Sequence, residues 1–598
     1  MLKDAKTNRD TGSRGFPDDL GSPGLTPGHE EIHTLVREVR DRTAAFHYLS
    51  RQPCLWVVFL GGTGTGKSTL FNALCGSELS RTGVERPNTQ GPVAWAHVSC
   101  PLERDFPFSR AAPTRRPTPP GHASAETGEP GNLVILDHEQ EDLAHLVIVD
   151  TPDLDSVDEE NRLIAEKLAL LADAVVFVAS QEKYADEVPS LVLHRILRDE
   201  TPVYFLLNKA DEGFRTVDAT TAHEAQGIPL EQDRIWIIAY TASAPSGLAG
   251  QKGFRDFRER LLEDLSRHRF SLRRGARLQA GATGLKKRLD RLTKMLELED
   301  RACEDWMERL QGLFRETADH LIQAESEHFS SRNRERIQRE IRRLFSRYDL
   351  LASPRRAVQR VLSAPFRLLG FDLRGRRTGR KDARDGLRPS ENLAPILAAV
   401  DRMNRRALET LSPADETAPL FAALREPGVA LTRDEVETRV IAEQKRLEAW
   451  LRDTFDRMSR GLPTVKKWSI YSTSIVWGVL ILALEATLGG GFTVIDALLD
   501  SALAPFVTKG SAELFASREI RTVIREMAET YRSGIVSILE EQRDRYNATL
   551  GRLRASDGAR EGITALRRDM TRFLEDPDAL GNSSRSSFLE SYKRSHPS

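Results

Sequence analysis

The segment 55–76, "LWVVFLGGTGTGKSTLFNALCG", constrains the fold of this chain more than any other stretch. Its β-branched and large apolar beginning predicts a buried strand, and its end predicts a helix. Between the two lies the spacing Gly-x-x-x-x-Gly-Lys-Ser, from Gly61 to Ser68. Glycines let backbone N–H groups turn around phosphate oxygens, and the start of a helix adds the positive end of its dipole. The segment therefore predicts a phosphate-binding turn between a strand and a helix.

Individual donors of this turn have predictable roles. We expect the Lys67 ammonium to reach the β- and γ-phosphates of a nucleotide and to act catalytically, because its charge stabilises a transferring phosphoryl group. The Ser68 hydroxyl is expected to bind Mg²⁺. The predicted nucleotide-binding residues of the turn are Gly61, Gly64, Thr65, Gly66, Lys67, Ser68 and Thr69.

Two downstream motifs also end predicted strands. In "HLVIVDTPD" the predicted apolar strand ends on Asp150, whose carboxylate can hold the magnesium through water. "VYFLLNKAD" ends on residues 208–211, where Asp211 can accept hydrogen bonds from N1–H and the 2-amino group of guanine, which adenine does not offer. Asn208 would support the purine edge, and the aliphatic stem of Lys209 would cover the face of the base. Three such motifs at the carboxyl ends of strands indicate a guanine-nucleotide site.

From residue 55 to about residue 265, short β-branched runs alternate with helical patterns. This alternation is typical of a doubly wound α/β sheet. A leading helix is predicted around residues 32–49, and the Pro- and Arg-rich stretch 101–132 is predicted to be a loop insertion. The predicted strands are 55–60, 93–98, 133–136, 146–149, 174–179, 203–207 and 235–238.

The three motifs together resemble those of the translation-factor-class P-loop GTPases, and "GKSTLFNALCG" is similar to the branch that contains Era-like and dynamin-like proteins. The resemblance covers about residues 55–245 and implies a Ras-like G domain with GTP as substrate, Mg²⁺ as cofactor and GTP or GDP as ligand. It also implies that Thr89, in "RTGVERPNTQGPVAW", closes over Mg²⁺ and the γ-phosphate as a metal ligand and catalytic residue. The candidates for the ribose-side guanine loop are Ala239-Tyr240, Thr241-Ala242 and Ser243-Ala244.

Three positions depart from the pattern of that family. The family's D-x-x-G is Asp-Thr-Pro-Asp at 150–153, so the amide of Asp153 is expected at the γ-phosphate while its carboxylate adds a like charge. An outward-pointing Asp153 in a variant switch and a lost γ-phosphate sensor are both open. Leu154 cannot orient water as the glutamine of Ras-like proteins does, and Gly64 replaces the asparagine that holds a catalytic potassium ion in Era-like relatives.

These departures predict slow GTP hydrolysis that something else must accelerate. The preferred accelerator is a second G domain that faces the first one. The candidate arginine donors for such an arrangement are Arg81 and Arg86.

The segment 468–508 contains no Lys, Arg or His, although charged residues make up 29% of the chain. A Gly-Gly-Gly turn at 489–491 divides it, and its first part, about 21 residues, could just cross a hydrocarbon core of about 30 Å. The second part carries Asp496 and Asp500, which favours a hairpin dipping into one leaflet. Basic residues flank both ends, so both ends are expected on the cytoplasmic side. The alternative is a hairpin buried in a helical core.

Beyond about residue 270, apolar residues recur at spacings of three, four and seven, which predicts long amphipathic helices with coiled-coil-like packing. The basic stretch 355–388 is open to three interpretations: contact with anionic lipid, contact with RNA phosphates, or a solvated loop. The predicted division is a disordered tail at 1–30, a GTPase (G) domain at 31–270, a helical stalk-like region at 271–465, an apolar membrane-interacting hairpin at 466–510, a return helix at 511–556 and a polar tail, expected to be poorly ordered, at 557–598.

Composition narrows the class of protein. A formal net charge of −1 argues against nucleic acid as a partner of the whole chain. The four cysteines have neither paired nor metal-ligand spacing, which predicts neither a disulfide framework nor a zinc site and fits a reducing cytosol. The polar start of the chain lacks the apolar core of a signal peptide.

The leading hypothesis is a membrane-associated GTPase of the bacterial dynamin-like type. It is expected to be cytoplasmic, peripheral or hairpin-anchored at the cytoplasmic face of the membrane, and to self-associate through its G domain or helical stalk. One alternative is a soluble regulatory or assembly GTPase whose helical domain binds protein or ribosomal RNA. Another is a GTP-binding scaffold that has lost hydrolysis.

Overall fold

The structure is a computed structural model. It describes residue 16 and the ranges 20–82, 90–117, 125–156, 158–180, 187–211, 232–240, 245–331, 394–413, 416–458 and 518–576. Thr89, Arg86, the basic stretch 355–388 and the apolar segment 468–508 lie outside these residues. The chain divides into two compact units. The first is 1–20 with 30–295 and 556–598, and the second is 21–29 with 296–555.

The first unit is built on one twisted sheet. Within the described residues this sheet has eight strands in the order β3-β4-β2-β5-β1-β6-β7-β8. All neighbouring pairs are parallel except β2 with β5. In chain order the strands are β1 Leu55–Gly61, β2 Val93–His97, β3 Ala112–Pro117, β4 Asn132–His138, β5 Leu146–Asp150, β6 Ala174–Ser180, β7 Val203–Ala210 and β8 Ile235–Ala239.

Helices cover both faces of this sheet, since successive residues of the central strand β1 enter two different hydrophobic clusters. Trp56 and Val58 belong to one cluster, whereas Val57 and Phe59 belong to the other. Burial on both faces confirms the predicted doubly wound α/β class. The helices are α1 His29–Leu49, α2 Lys67–Cys75, α3 Glu159–Leu171, α4 Glu187–Arg198, α5 Pro245–Ala249, α6 Lys252–Asp264, the first part of α7 Phe270–Ser331, and α12 Asp557–Glu575.

All seven strands predicted from the sequence are present, as is the leading helix. The prediction that 101–132 is only a loop insertion is wrong, because β3 lies within it and pairs with β4. Two prolines hide this strand in the sequence, and a strand at the edge of a sheet tolerates them because one side needs no partner. Arg115 of β3 donates to Glu103 at 2.6 Å, which helps to hold the edge strand in place.

The structure also contains a disulfide bond that the spacing of the cysteines did not predict. Cys54, just before β1, and Cys100, just after β2, form a disulfide bond across 46 residues of sequence. Their spacing gave no signal because the fold, not the sequence, brings the two ends together. Cys75 and Cys303 are buried free thiols.

The second unit is a bundle of helices with its own hydrophobic core, as the amphipathic patterns predict. Buried core residues come from every helix of the bundle, for example Leu310, Met403, Leu420, Val436 and Leu539. The helices are the second part of α7 Phe270–Ser331, α8 Ala394–Leu411, α9 Pro419–Ala423, α10 Arg433–Met458 and α11 Arg518–Arg552. No helix among the described residues is long and apolar enough to span a bilayer.

The ends of the chain differ from expectation. Part of the predicted polar tail is helix α12, and this helix clusters with the first unit. Its apolar residues recur every three or four positions, and Ser556 caps its start by accepting from the Ala559 amide at 3.2 Å. Near the other end, Leu20 and Leu25 are buried within the predicted disordered tail. The buried face of α12 consists of Ala559, Ile563, Leu566, Met570 and Phe573.

Candidate functional site: a phosphate-binding turn at the strand ends

The turn between β1 and α2 has a backbone that only glycine fits at two positions. A Cβ on Gly61 would lie 2.1 Å from the carbonyl oxygen of Val178. Gly66 has a φ of 90°, and a Cβ there would lie 2.3 Å from Nδ2 of Asn208. Both approaches are closer than any side chain allows, so the predicted glycines are required for the strand, turn and helix to meet.

Lys67 begins helix α2 and lies inside the turn, with 4% of its surface exposed. Its Nζ donates to the carbonyl oxygen of Gly62 at 3.2 Å and forms an ion pair with the carboxylate of Asp153. Gly66 caps the helix without any side-chain hydrogen bond. The cation predicted to meet phosphate is therefore in contact with a carboxylate of the segment after β5.

A second carboxylate of that segment, Asp155, also contacts the turn. Both the backbone amide and the hydroxyl of Thr63 donate to its Oδ1, each at 2.6 Å. A Cβ on Gly62 would lie 3.1 Å from its other oxygen. Sequence reasoning missed both Asp155 and Thr63. The available signal was the third acidic residue of "DTPDLD".

Asp150 ends β5 and is completely buried. Ser80 donates from Oγ to its Oδ2 at 2.7 Å, while Oδ1 has no hydrogen-bond partner. Burial raises the pKa of Asp150, and the hydrogen bonds from Ser80 and Ser68 oppose that rise. A carboxylate with one unsatisfied buried oxygen, beside a serine hydroxyl, offers the hard oxygen ligands that Mg²⁺ prefers. Ser68 and Asp150 therefore fit the predicted magnesium site.

Magnesium bound with several waters needs few protein ligands. The described part of the chain contains no group of three or more His, Cys, Asp or Glu placed to hold a metal ion. The third predicted metal ligand, Thr89, lies outside the described residues.

Ser80 is held by the side chain of Asn72, and sequence reasoning missed both residues. The Asn72 carbonyl oxygen accepts from the amides of Leu79 and Ser80 at 3.0 and 2.9 Å, and its Nδ2 donates to the Ser80 carbonyl at 2.7 Å. Helix α2 therefore fixes the backbone that carries the Ser80 hydroxyl. No local pattern in the sequence reveals this contact, because it joins residues eight positions apart outside any regular spacing.

The predicted base-binding motif lies against the same turn. Asn208, near the end of β7, donates from Nδ2 to the carbonyl oxygen of Thr65 at 2.8 Å. Lys209 has a φ of 56° and donates from Nζ to the carbonyl oxygen of Gly64 at 2.7 Å. Asp211 follows the strand and is exposed. The structure thus brings the motif at the end of β7 to the turn after β1, although Gly61 and Asn208 are 147 positions apart in the sequence.

The remaining candidate residues take different positions. Thr65 is buried and its hydroxyl donates to the Gly62 carbonyl at 2.9 Å, while Thr69 is half-buried in helix α2. Leu154 is completely buried in the hydrophobic core, which agrees with the inference that it cannot orient water. Arg81 is exposed.

The ribose-side candidates are only partly described. Ala239 ends β8, and Tyr240 is 69% exposed directly after it. The remaining four residues, 241–244, lie outside the described ranges. The choice between the candidate pairs stays a prediction.

Three comparisons with known proteins bear on this site. Residues 56–209 match the family model described as "50S ribosome-binding GTPase". A curated relative, an uncharacterised protein in the xynA 3′ region of Caldicellulosiruptor sp. (strain Rt8B.4), is 27% identical over 205 residues, which is 33% of this chain. The match spans 49% of that relative, so this chain covers about half of its length.

Two solved structures of an oligomerised bacterial dynamin pair, described as a mechanism for long-range sensing and tethering of membranes, also align with this chain. Each is 13% identical, with TM-scores of 0.31 and 0.30. The alignments cover 97% and 93% of this chain and 93% and 90% of those chains. Such low scores carry no conclusion about the helical unit. The family match and the strand-end motifs concern the same residues, and this chain contains a P-loop GTPase domain.

Proposed function

We propose that this protein binds GTP and hydrolyses it to GDP and phosphate. The observation that carries the proposal is the convergence of Lys67, Asp150 and Asn208 on one glycine turn. The turn offers backbone donors and an ammonium for phosphates, and residues 208–211 offer the groups that discriminate guanine. Asp153 is proposed to contribute its amide at the γ-phosphate.

In this mechanism Lys67 and the backbone amides of the turn stabilise the charge that develops on the transferring phosphoryl group. Ser68 and Asp150 would hold Mg²⁺, which when bound neutralises charge on the β- and γ-phosphates. Buried Leu154 leaves the water-positioning role to another group. We therefore propose slow intrinsic hydrolysis, completed by a second copy of the GTPase domain. Exposed Arg81 is one candidate donor.

We further propose that the nucleotide state controls a membrane-associated helical unit of the dynamin-like type. Helices α10 and α11 flank the apolar segment and pack against each other, with Arg439 paired to Glu541 at 2.7 Å. Glu435 lies opposite Arg545, and Glu443 lies opposite Gly534. Residue numbers that rise on one helix while they fall on the other describe an antiparallel pair. The end of α10 at Met458 and the start of α11 at Arg518 therefore lie at the same end of this pair.

The apolar hairpin predicted from the sequence would connect these two helix ends, and from there it would be suited to enter one leaflet. The experiment is sedimentation of the full-length protein with anionic liposomes in GTP and in GDP, with phosphate release measured in the same tubes. The double variant Val479→Asp, Leu482→Asp should stay in the supernatant, whereas Lys67→Ala should lose phosphate release but keep lipid binding. Equal sedimentation of the wild type and the apolar-segment variant would contradict the membrane proposal.

A second candidate function is a regulatory or assembly GTPase that acts on protein or ribosomal RNA. The description of the matched family, which names binding to the 50S ribosome, favours it. In that case the apolar segment is part of a buried core, and the aspartate variant should lose folding stability rather than lipid binding. A denaturation curve of the same variant separates the two outcomes.

A further inference from the structure

Two acidic side chains of the segment after β5 occupy donors of the glycine turn. Asp153 forms an ion pair with the Lys67 ammonium, and Asp155 accepts from the amide and hydroxyl of Thr63. Both contacts lie within the turn. Gly62 lies between Gly61 and Thr63, and its carbonyl oxygen also accepts from Lys67. A lysine ammonium and backbone amides are the donors that such a turn uses for phosphate oxygens.

A carboxylate resembles part of a phosphate group in the chemistry that matters for these donors. Each carries negative charge and accepts charge-assisted hydrogen bonds from N–H groups. Asp153 and the phosphates therefore require the same Lys67 donor, and Asp155 and the phosphates require the same Thr63 amide. These donors cannot bind the carboxylates and the phosphates at the same time.

Like charges around the turn strengthen this competition. Asp153 contacts Lys67, Asp155 contacts Thr63, and the completely buried Asp150 is a third acidic side chain at the same turn. A nucleotide adds further negative charge at the same place. Its binding is therefore opposed while Asp153 and Asp155 keep their contacts, and favoured once they leave.

We propose that Asp153 and Asp155 form an internal anion that competes with nucleotide phosphates for the turn. This inference rests on the proposed GTP binding and adds a mode of regulation to the same site. Binding of either GDP or GTP must release the segment 153–155 from Lys67 and Thr63. The segment thereby reports occupancy of the turn, and a partner that draws it away would tighten nucleotide binding.

The test uses the full chain with Asp153→Asn and Asp155→Asn, made separately. Each substitution keeps the size of the side chain and removes its charge. Equilibrium binding of fluorescently labelled GDP and GTP is measured at fixed magnesium, with a thermal melt to verify folding. Glu160→Gln is the matched control, because Glu160 is an exposed acidic residue in the first turn of α3.

We expect both variants to bind GDP and GTP about tenfold more tightly than the wild type, which corresponds to about 1.4 kcal/mol. The control should bind as the wild type does. Unchanged or weaker binding in the variants would overturn the inference. Tighter binding of GTP alone would also overturn it, because Asp153 would then only repel the γ-phosphate.

Failure of the proposed function looks different. If the wild type and Lys67→Ala bind neither nucleotide, GTP binding itself is refuted. If the wild type binds and Lys67→Ala does not, the site is real and the aspartate variants alone decide the inference. Should Asp153→Asn fail to fold, Asp155→Asn decides it, because Asp155 contacts Thr63 rather than Lys67.

Discussion

Replacing Ser80 by alanine tests the arrangement around the predicted magnesium site. The substitution removes the hydroxyl that donates to Oδ2 of Asp150 at 2.7 Å. Both residues are almost completely buried, so no bulk water replaces the lost donor. Hydrogen bonds to charged groups contribute about 1.5–3 kcal/mol, and we expect a loss of about 2 kcal/mol in the free energy of unfolding. The backbone contacts from Asn72 are unaffected because they do not use the hydroxyl.

The assay is urea denaturation of the full chain without nucleotide, followed through a signal that reports on the first unit. A second measurement, the magnesium concentration needed for half-maximal GDP binding, should rise in Ser80→Ala because Asp150 is less firmly oriented. Ser50→Ala is the control: its hydroxyl donates to a backbone carbonyl at 2.8 Å in an exposed position, and its loss should change stability by less than about 0.5 kcal/mol. If Ser80→Ala behaves like Ser50→Ala in both measurements, the hydrogen bond does not orient Asp150.

Three further predictions concern stability. Burial lowers the pKa of His138 to about 4, so the stability that its uncharged form gives is present above about pH 6.5 and is lost as the pH falls toward 4. A fall in pH from 7 to 4.5 should cost up to about 2 kcal/mol, less in His138→Gln, as measured by denaturation at each pH. Reduction of the Cys54–Cys100 disulfide, which closes 46 residues, should cost about 2–4 kcal/mol, and Cys54→Ser, Cys100→Ser should abolish the response to reductant. Leu566→Ala in α12 should cost about 2–5 kcal/mol, because Leu566 is 1% exposed; a negligible loss would mean that α12 does not fold with its unit.

The parts of the fold that could be predicted are those whose signal is local. Strand β1 is a continuous apolar run, and both of its faces are buried. The turn at 61–68 follows from steric limits that act within a few residues. In α7, Leu285, Leu289 and Leu292 lie on the buried face at the predicted helical spacing. Periodicity and glycine geometry are thus sufficient for these elements.

The elements that were missed depend on tertiary contacts or on the context of the sheet. Strand β3 contains prolines that a central strand excludes, and only its position at the edge makes it possible. The Cys54–Cys100 bridge exists because the fold brings the start of β1 close to the end of β2. Helix α12, by contrast, has an apolar repeat that is recognisable in the sequence, but the polar composition of the segment concealed it.

The site shows the same division at the level of single side chains. The position of Lys67 at the start of α2 was predictable because it follows from the spacing of the turn. Asp155 could not be placed, since its contact with Thr63 depends on how the segment after β5 folds back over the turn. Ser80 depends in the same way on the Asn72 side chain. The contacts missed from the sequence are therefore those proposed to limit access to the site and to orient Asp150, whereas the motif residues are proposed to define what the site binds. Substitutions at Asp155 and Ser80 should accordingly change nucleotide affinity and magnesium dependence without changing the preference for guanine over adenine.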